Sequence, residues 1–279
     1  MTVRVLTDST AYFAPGEAAA RGVTIVPLYV IFGETTYKDG VELSIDEFFA
    51  KLVSSKDLPK TSQPSAGDFH DAYRSLGQPG VQVAAIHLSS HLSGTHNTSR
   101  MAAEQMAGHP PVEVVDSLTT SVGQAFVVRA AAEAAARGAG LSDVTSVARE
   151  VAAKVHTYLA IDTLQYLQRG GRLGRAQAFF GSALDVKPII GLDDEGKIAQ
   201  FAKVRTRRKA LDTLLELAGS RGTPRRLAVV DATTPADAQS VKIRLERAFP
   251  NTPVEVGRAG PVIGVHAGPG MMGIQVEEV

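Results

Sequence analysis

The stretch Val81-Gln82-Val83-Ala84-Ala85-Ile86-His87-Leu88-Ser89-Ser90-His91-Leu92-Ser93-Gly94-Thr95 decides the fold class of this 279-residue chain. Its first eight residues, apolar except for Gln82 and His87, read as a strand. A loop dense in hydroxyls follows, and residues 94–107 then read as a helix. Strand, polar loop and helix in that order make one unit of an α/β layer. The unit recurs on both sides. Val3, Val5 and Leu6 form a short buried strand that runs into the polar turn Thr7-Asp8-Ser9-Thr10. Residues 112–116 read as a strand, and residues 122–137 as an Ala-rich helix suited to close packing. Residues 23–32 form a second β-rich run, and residues 33–40 a turn and edge strand. Ser44 opens a helix with Glu47 three residues on, and Ser65 opens another with Asp68 three residues on. The first pair is a capping-box signature, and the second reads as a helix cap. The first half therefore reads as a mostly parallel, Rossmann-like sheet.

Beyond residue 141 the pattern changes. Ser142 is expected to cap a helix with Val144, Val147, Val151 and Val155 inward. Strands are expected at 158–161, 186–190, 197–204, 227–231, 254–256 and 273–276. Thr234 is expected to cap a helix with Pro235 at its first position. A domain boundary near 154–157 divides the chain into residues 1–155 and 156–279, both α/β. The length suits two such units, each with its own core.

Composition narrows the function. Apolar residues make up 44% and charged residues 21%, as in ordinary globular proteins. There is no Cys, which excludes a disulfide framework, a thiolate metal site and a Cys nucleophile. No apolar run approaches the length of a membrane span, and no signal-peptide core opens the chain, so a cytoplasmic location is the expectation. Formal net charge is zero, from 29 basic and 29 acidic residues. The balance is uneven, because residues 161–226 carry 13 Lys plus Arg against 7 Asp plus Glu, a net of +6. That segment contains the turn Gly170-Gly171-Arg172-Leu173-Gly174-Arg175 and the run Lys203, Arg205, Arg207, Arg208, Lys209. A solvated face explains it, as does docking to an acidic or phosphate-bearing partner. Nucleic acid is the weaker reading, since no recognised motif and few aromatics accompany the charge.

Several apparent motifs fail on context. Gly268-Pro269-Gly270-Met271-Met272-Gly273 has dinucleotide-fingerprint spacing, but only six residues follow it. Gly191 to Lys197 has P-loop spacing but reads as a hairpin turn, and Ile198 replaces the magnesium-binding hydroxyl. His87, His91 and His96 straddle a strand, a loop and a helix start, so a shared metal is not expected.

The constellation that remains is hydroxyl-rich: Asp8-Ser9-Thr10, Lys60-Thr61-Ser62-Gln63-Pro64-Ser65, Ser89 to Thr95, and Asp116-Ser117. Loops after parallel strands gather at one sheet edge, where hydroxyls and helix-start N–H groups suit an anion. Capping alone would also explain such residues. His266, in a Gly/Pro-rich loop at 260–270, could donate to an anion or be a satisfied structural side chain. Ser93, His266 and Asp8 also contain the parts of a serine hydrolase acting on an acyl substrate. The Gly-x-Ser-x-Gly elbow is absent from the chain.

In order along the chain, Asp8-Ser9-Thr10, Thr61-Ser62-Gln63-Pro64-Ser65, Ser89 to Thr95, Gly170-Gly171-Arg172, Lys187-Pro188-Ile189 and His266-Ala267-Gly268-Pro269-Gly270 resemble the DegV family. The resemblance spans nearly the whole chain, with Ala11-Tyr12-Phe13 and His96 departing from the usual pattern. It implies a two-domain α/β fold, with a parallel N-terminal and a mixed C-terminal sheet and a fatty acid between them. It implies a fatty-acid-binding subunit for a separate ATP-dependent fatty acid kinase, with no cofactor, metal or catalytic residue of its own. Thr61, Ser93, Gly94 and His266 match the family's carboxylate-binding positions. Ser62, Arg172 and Arg205 are candidates for the head-group network or for kinase docking. Ile25, Leu28, Phe179, Phe180 and Ile263 are candidates for the acyl tunnel. Burial at roughly 0.8 kcal/mol per methylene would give a chain of about 14 methylenes on the order of 11 kcal/mol before binding costs.

Overall fold

The computed structural model of the chain describes residues 1–55, 57–173 and 186–279. Three sheets organise them. The opening stretch supplies β6 (Val81–His87), the centre of a four-stranded parallel sheet with β1 (Thr2–Asp8), β2 (Val23–Val26) and β7 (Val112–Asp116), in the order β2-β1-β6-β7. Both faces of β6 are covered. Val83 and Ala85 pack toward α3 (Ala66–Leu76) and α4 (Thr95–Gln105), around Phe69, Tyr73 and Ala102. Ala84 and Ile86 pack toward α5 (Ser121–Ala136) and α6 (Leu141–Ala152). Val83 to Ile86 are buried on both faces, which is why they are apolar at successive positions instead of alternating with polar residues.

Residues from Val155 onward build a mixed six-stranded sheet. Its strands are β8 (Val155–Ala160), β9 (Lys187–Leu192), β10 (Ile198–Val204), β11 (Pro224–Asp231), β12 (Val254–Arg258) and β13 (Met272–Glu278), in the order β10-β9-β8-β13-β11-β12. Only β11 and β12 are parallel; the other pairs run antiparallel. Along β11, Leu227 and Val229 face the cluster under α8 (Arg207–Ala218) and α9 (Pro235–Ala248), while Ala228 and Val230 face inward. A smaller antiparallel sheet, in the order β4-β3-β5, contains β3 (Tyr29–Phe32), β4 (Thr35–Lys38) and β5 (Lys60–Ser62). It lies beside α2 (Ile45–Ser54) and α10 (Pro261–Ala267). Two short helices, α1 (Glu17–Ala20) and α7 (Gln165–Arg169), complete the described elements.

The Ala-rich α5 touches β1 and β6 of the parallel sheet and β8, β11 and β13 of the mixed sheet. It is buried almost all round and has no polar face, so it serves as a layer shared by both sheets. Small side chains let both sheets approach it closely.

The expected capping box forms at Ser44 with Glu47, and the cap expected at Ser65 forms a second box with Asp68. Four local expectations are corrected. The run 23–32 divides at Pro27-Leu28 into β2 and β3, which belong to different sheets. The helix expected to start at Ser142 starts at Leu141, with extended Gly140 as its N-cap, and Val155 belongs to β8. Thr234 is the N-cap of α9 without a capping bond; its hydroxyl accepts from Arg207 instead. Residues 261–267, read as loop, form α10, with Gly260 extended at its N-cap, Pro261 at its first position and Gly268 at φ 80° after it.

Candidate functional site

A cavity lies where the three sheets meet. Its walls are mainly apolar, with Leu28, Leu88, Leu159, Ile190, Ile198 and Val262 among them. Thr61, Ser93, Arg172 and His266 supply polar groups.

Each of these side chains is placed by a local rule. Thr61 sits in β5, paired with Val30, and strand alternation turns it inward while Ser62 faces out. Ser93 ends the β6–α4 loop. Its Oγ lies 2.8 Å from Thr95 Oγ1 and accepts from the Thr95 N–H at 3.3 Å. His266 lies in the last turn of α10, with Nε2 2.8 Å from Thr61 Oγ1. Arg172 leaves the Gly170-Gly171 turn, donates from Nη1 to Gly170 O at 2.7 Å, and from Nε to Leu92 O at 3.2 Å. It thereby ties that turn to the serine loop. Gly171 has φ 69°, where L side chains are strained. Gly170 lies against the imidazole, and a Cβ there would overlap His266 Nδ1.

Burial, with the Arg172 charge second, lowers the His266 pKa to about 4. The ring is therefore neutral near pH 7 and carries one N–H. Nδ1 is buried without a hydrogen-bond partner among the described residues. An unpaired buried N–H costs more than an unpaired lone pair, so the favoured tautomer keeps its proton on Nε2, toward Thr61.

Thr61, Ser93, Arg172 and His266 thus line one cavity. Gly94, the N-cap of α4, lies beside it under the Gln63 side chain. Ser62 is exposed, with its hydroxyl bonded to Gln63 O. Arg205 is exposed beyond β10, and β10 reaches the cavity at its opposite end, through Ile198. Of the tunnel candidates, Leu28 and Ile263 line the cavity. Ile25 lies 40% exposed on a different groove. Phe179 and Phe180, with Gly174 and Arg175 of the arginine turn, fall outside the described residues.

The hydroxyls do not all meet a ligand surface. Ser9 donates to Asp39, and Ser89 donates to Gly196 O, where the β9–β10 turn meets the parallel sheet. Thr10 reaches the cavity but bonds Asp8 and Gln124. The hydrolase parts belong to separate networks. Ser93 pairs with Thr95 and His266 with Thr61. Asp8 lies 3.1 Å from His87 Nδ1, fully buried, and His87 continues to Ser99. In the basic segment, Lys187, Arg207, Lys209, Arg221 and Arg226 are held by Asp162, Asp237, Glu216, Asp194 and Glu277.

Sequence reasoning did not single out Gln63, which lines the cavity and donates to Thr98 Oγ1 at 2.6 Å, although it lies inside the quoted Thr61–Ser65 motif. It also missed Thr120, whose buried hydroxyl lines the cavity without a partner among the described residues. Nothing in the sequence around Thr120 marks it.

The sequence model described as "Uncharacterised protein, DegV family" matches residues 2–279. Protein DegV of Bacillus subtilis is 38% identical over 278 residues, covering 98% of each chain. A DegV domain-containing protein of Streptomyces coelicolor shows the same identity and coverage. Among solved structures, DegV of Bacillus subtilis, described as a fatty acid binding protein, superposes with a TM-score of 0.91 at 36% identity over all of both chains. A fatty-acid-binding DegV family protein of Thermus thermophilus gives 0.90 at 29% identity, again over all of both chains. A stearic acid-binding protein of Eubacterium ventriosum gives 0.90 at 27%, over 99% of this chain and 98% of that one. No described helix is long and apolar enough to cross a membrane. Matched from residue 2 to its last residue in sequence, and over its whole length in fold, this chain belongs to the DegV family.

Proposed function

We propose that this chain holds a long-chain fatty acid in the cavity between its N-terminal (1–155) and C-terminal (156–279) parts. It presents the carboxylate to a separate ATP-dependent kinase subunit, which converts it to acyl phosphate. The observation that carries this reading is the composition of this cavity: a mainly apolar wall with Thr61, Ser93, Arg172 and His266 among its polar groups. Burial of methylenes supplies affinity. A carboxylate carried into such a space needs donors, because an unpaired buried charge is heavily penalised.

Thr61, Ser93 and His266 act together as that donor set. With Nε2–H donating to Thr61 Oγ1, the Thr61 O–H is free to point at a carboxylate oxygen. Ser93 Oγ accepts from the Thr95 N–H and can donate its own proton in the same way. The Gly94 N–H one residue on adds a backbone donor. Such charge-assisted bonds are the stronger kind. Arg172 contributes charge, and exposed Arg205 serves as a docking contact for the kinase. The chain itself makes and breaks no covalent bond. In this reading it works in the cytoplasm, where ATP is available, and its acyl phosphate product feeds phospholipid synthesis.

Mass spectrometry of lipid extracted from the purified protein is expected to find a fatty acid near one equivalent. Ser93→Ala is expected to weaken fatty acid binding by about tenfold, the worth of one hydrogen bond to a charged group, while circular dichroism stays unchanged. Lipid-free protein with no affinity for added fatty acid would overturn the reading.

A further inference from the structure

Behind the cavity wall stands a buried carboxyl group that the binding site does not use. Asp39 is tied to Leu28 twice. Its N–H donates to Leu28 O at 2.9 Å, and its Oδ2 accepts from Ser9 Oγ at 2.7 Å, which in turn accepts from the Leu28 N–H at 3.0 Å. On its other side begins α10. That helix starts at Gly260-Pro261 without a side-chain cap, and its first internal bond runs from Gly264 N–H to Gly260 O. The N–H groups of Val262 and Ile263 therefore need acceptors from elsewhere. The Val262 N–H faces the Asp39 carboxyl, and the backbone of Ile263 and Gly260 faces the Tyr12 phenol. Asp39 Oδ1 has no hydrogen-bond partner among the described residues, so it is open to that N–H. Leu28 and Val262 both line the cavity, whereas Asp39, Ser9 and Tyr12 line an open groove outside it.

We propose that Asp39 is a positioning residue for fatty acid binding: its ionised carboxylate holds the start of α10, and through that helix keeps His266 against Thr61, so that affinity for the acid rises with pH across neutrality. The proposal rests on the fatty-acid reading above and adds to it a residue outside the cavity. A carboxylate accepts a backbone N–H more strongly than a neutral carboxyl does. Burial, helped by the Asp8 charge and opposed by the Ser9 and Val262 donors, brings the Asp39 pKa to about 7. The groups around it keep their charge there. Asp8 on β1 has a lowered pKa, Tyr12 a raised one, and His266 at the far end of α10 one of about 4. Arg258 of β12 is paired with Asp46 of α2, and Lys38 and Glu42, near Asp39 in the chain, are exposed. By linkage, a ligand that needs α10 in place also favours the ionised Asp39.

The test titrates hexadecanoic acid into the full-length protein, stripped of lipid, at pH 6, 7 and 8, for wild type and Asp39→Asn. The amide mimics the protonated carboxyl. Wild-type affinity relative to the variant is expected to rise by about threefold or more from pH 6 to pH 8, part of the roughly tenfold worth of one hydrogen bond to a charged group. Taking the ratio cancels the ionisation of the ligand itself. Carboxyl carbon NMR of the wild-type protein provides a second measurement that no variant can confound. The Asp39 titration midpoint is expected to lie lower in the loaded protein than in the free one. A ratio that stays constant with pH, or an Asp39 midpoint unmoved by ligand, would overturn the proposal even where Asp39→Asn binds more weakly throughout, because a merely structural carboxyl gives that result. Failure of the wild-type protein to bind hexadecanoic acid at any pH would remove the fatty-acid reading, and this proposal with it.

Discussion

At the scale of single residues, the site depends on one imidazole held neutral. His266 is surrounded by Thr61 on one side, the Gly170 backbone on the other, and the Arg172 charge nearby. Burial and that charge both disfavour imidazolium, which lowers the pKa to about 4. The imidazole signals of His266 are therefore expected to stay flat in an NMR titration from pH 8 down to about 5. A free histidine titrates near 6.5 over the same range. Arg172→Gln removes the repelling charge and is expected to move the His266 midpoint upward; an unmoved midpoint would leave burial as the sole cause. Gly170 explains the double glycine at the same scale. Its partner Gly171 needs a positive φ, whereas Gly170 is small because the histidine ring occupies the space of a side chain.

At the scale of elements, α10 is the piece that makes the site. It brings Val262, Ile263, His266 and Ala267 to the cavity and packs on α2 and β3. Gly264 faces the rings of Phe48 and Phe49, where a Cβ would overlap Phe48. Gly264→Ala is expected to push α10 off α2. It should lower stability by about 1–3 kcal/mol in denaturant unfolding, as overpacked cores do. It should also weaken fatty acid binding, because His266 moves with the helix. The helix was legible in principle, since Pro261 at its first position and Gly268 just past its end are helix punctuation. Its four glycines and two prolines between 260 and 270 read more naturally as a loop. The caps at Ser44 and Ser65 were legible because the signal is local, a hydroxyl and a carboxylate three residues apart. Ser142 misled for the converse reason. Gly140 already had the extended backbone a cap requires, so the helix began before the serine.

At the scale of the whole molecule, a buried carboxylate joins two of the sheets. Asp39, just past β4, is 3% exposed and accepts from Ser9 at the end of β1. Burial, helped by the neighbouring Asp8 charge, raises its pKa to about 7. In the unfolded chain an Asp ionises near 3.9, so between about pH 4 and 7 the folded state binds the extra proton. Asp39 then stabilises the fold below about pH 4, and that contribution is lost as pH rises through 7. Asp39→Asn removes this dependence. The stability difference between variant and wild type is expected to shift in the variant's favour from pH 5 to pH 8 in parallel denaturant titrations. His266 and His156, both with lowered pKa, act in the opposite direction and cancel in that comparison.

The sequence by itself determined what is local. The apolar run Val83 to Ile86 of β6 announced a strand covered on both faces, the α/β alternation announced the first sheet, and the ordered hydroxyl, glycine and histidine motifs announced the family. Charge counting found the basic segment but could not tell cations pinned by carboxylates from cations left uncommitted, because ion pairing depends on distances in space. The tertiary structure alone decided which residues meet. Thr61 and His266 lie 205 positions apart and become hydrogen-bond partners only because α10 returns to the three-stranded sheet. The same folding sent Asp8 to His87 rather than to His266, turned Ser62 outward by strand alternation, and placed Arg205 at the far end of its hairpin. Side-chain type and spacing are written along the chain; proximity across it is set by how the sheets and their shared helix α5 pack.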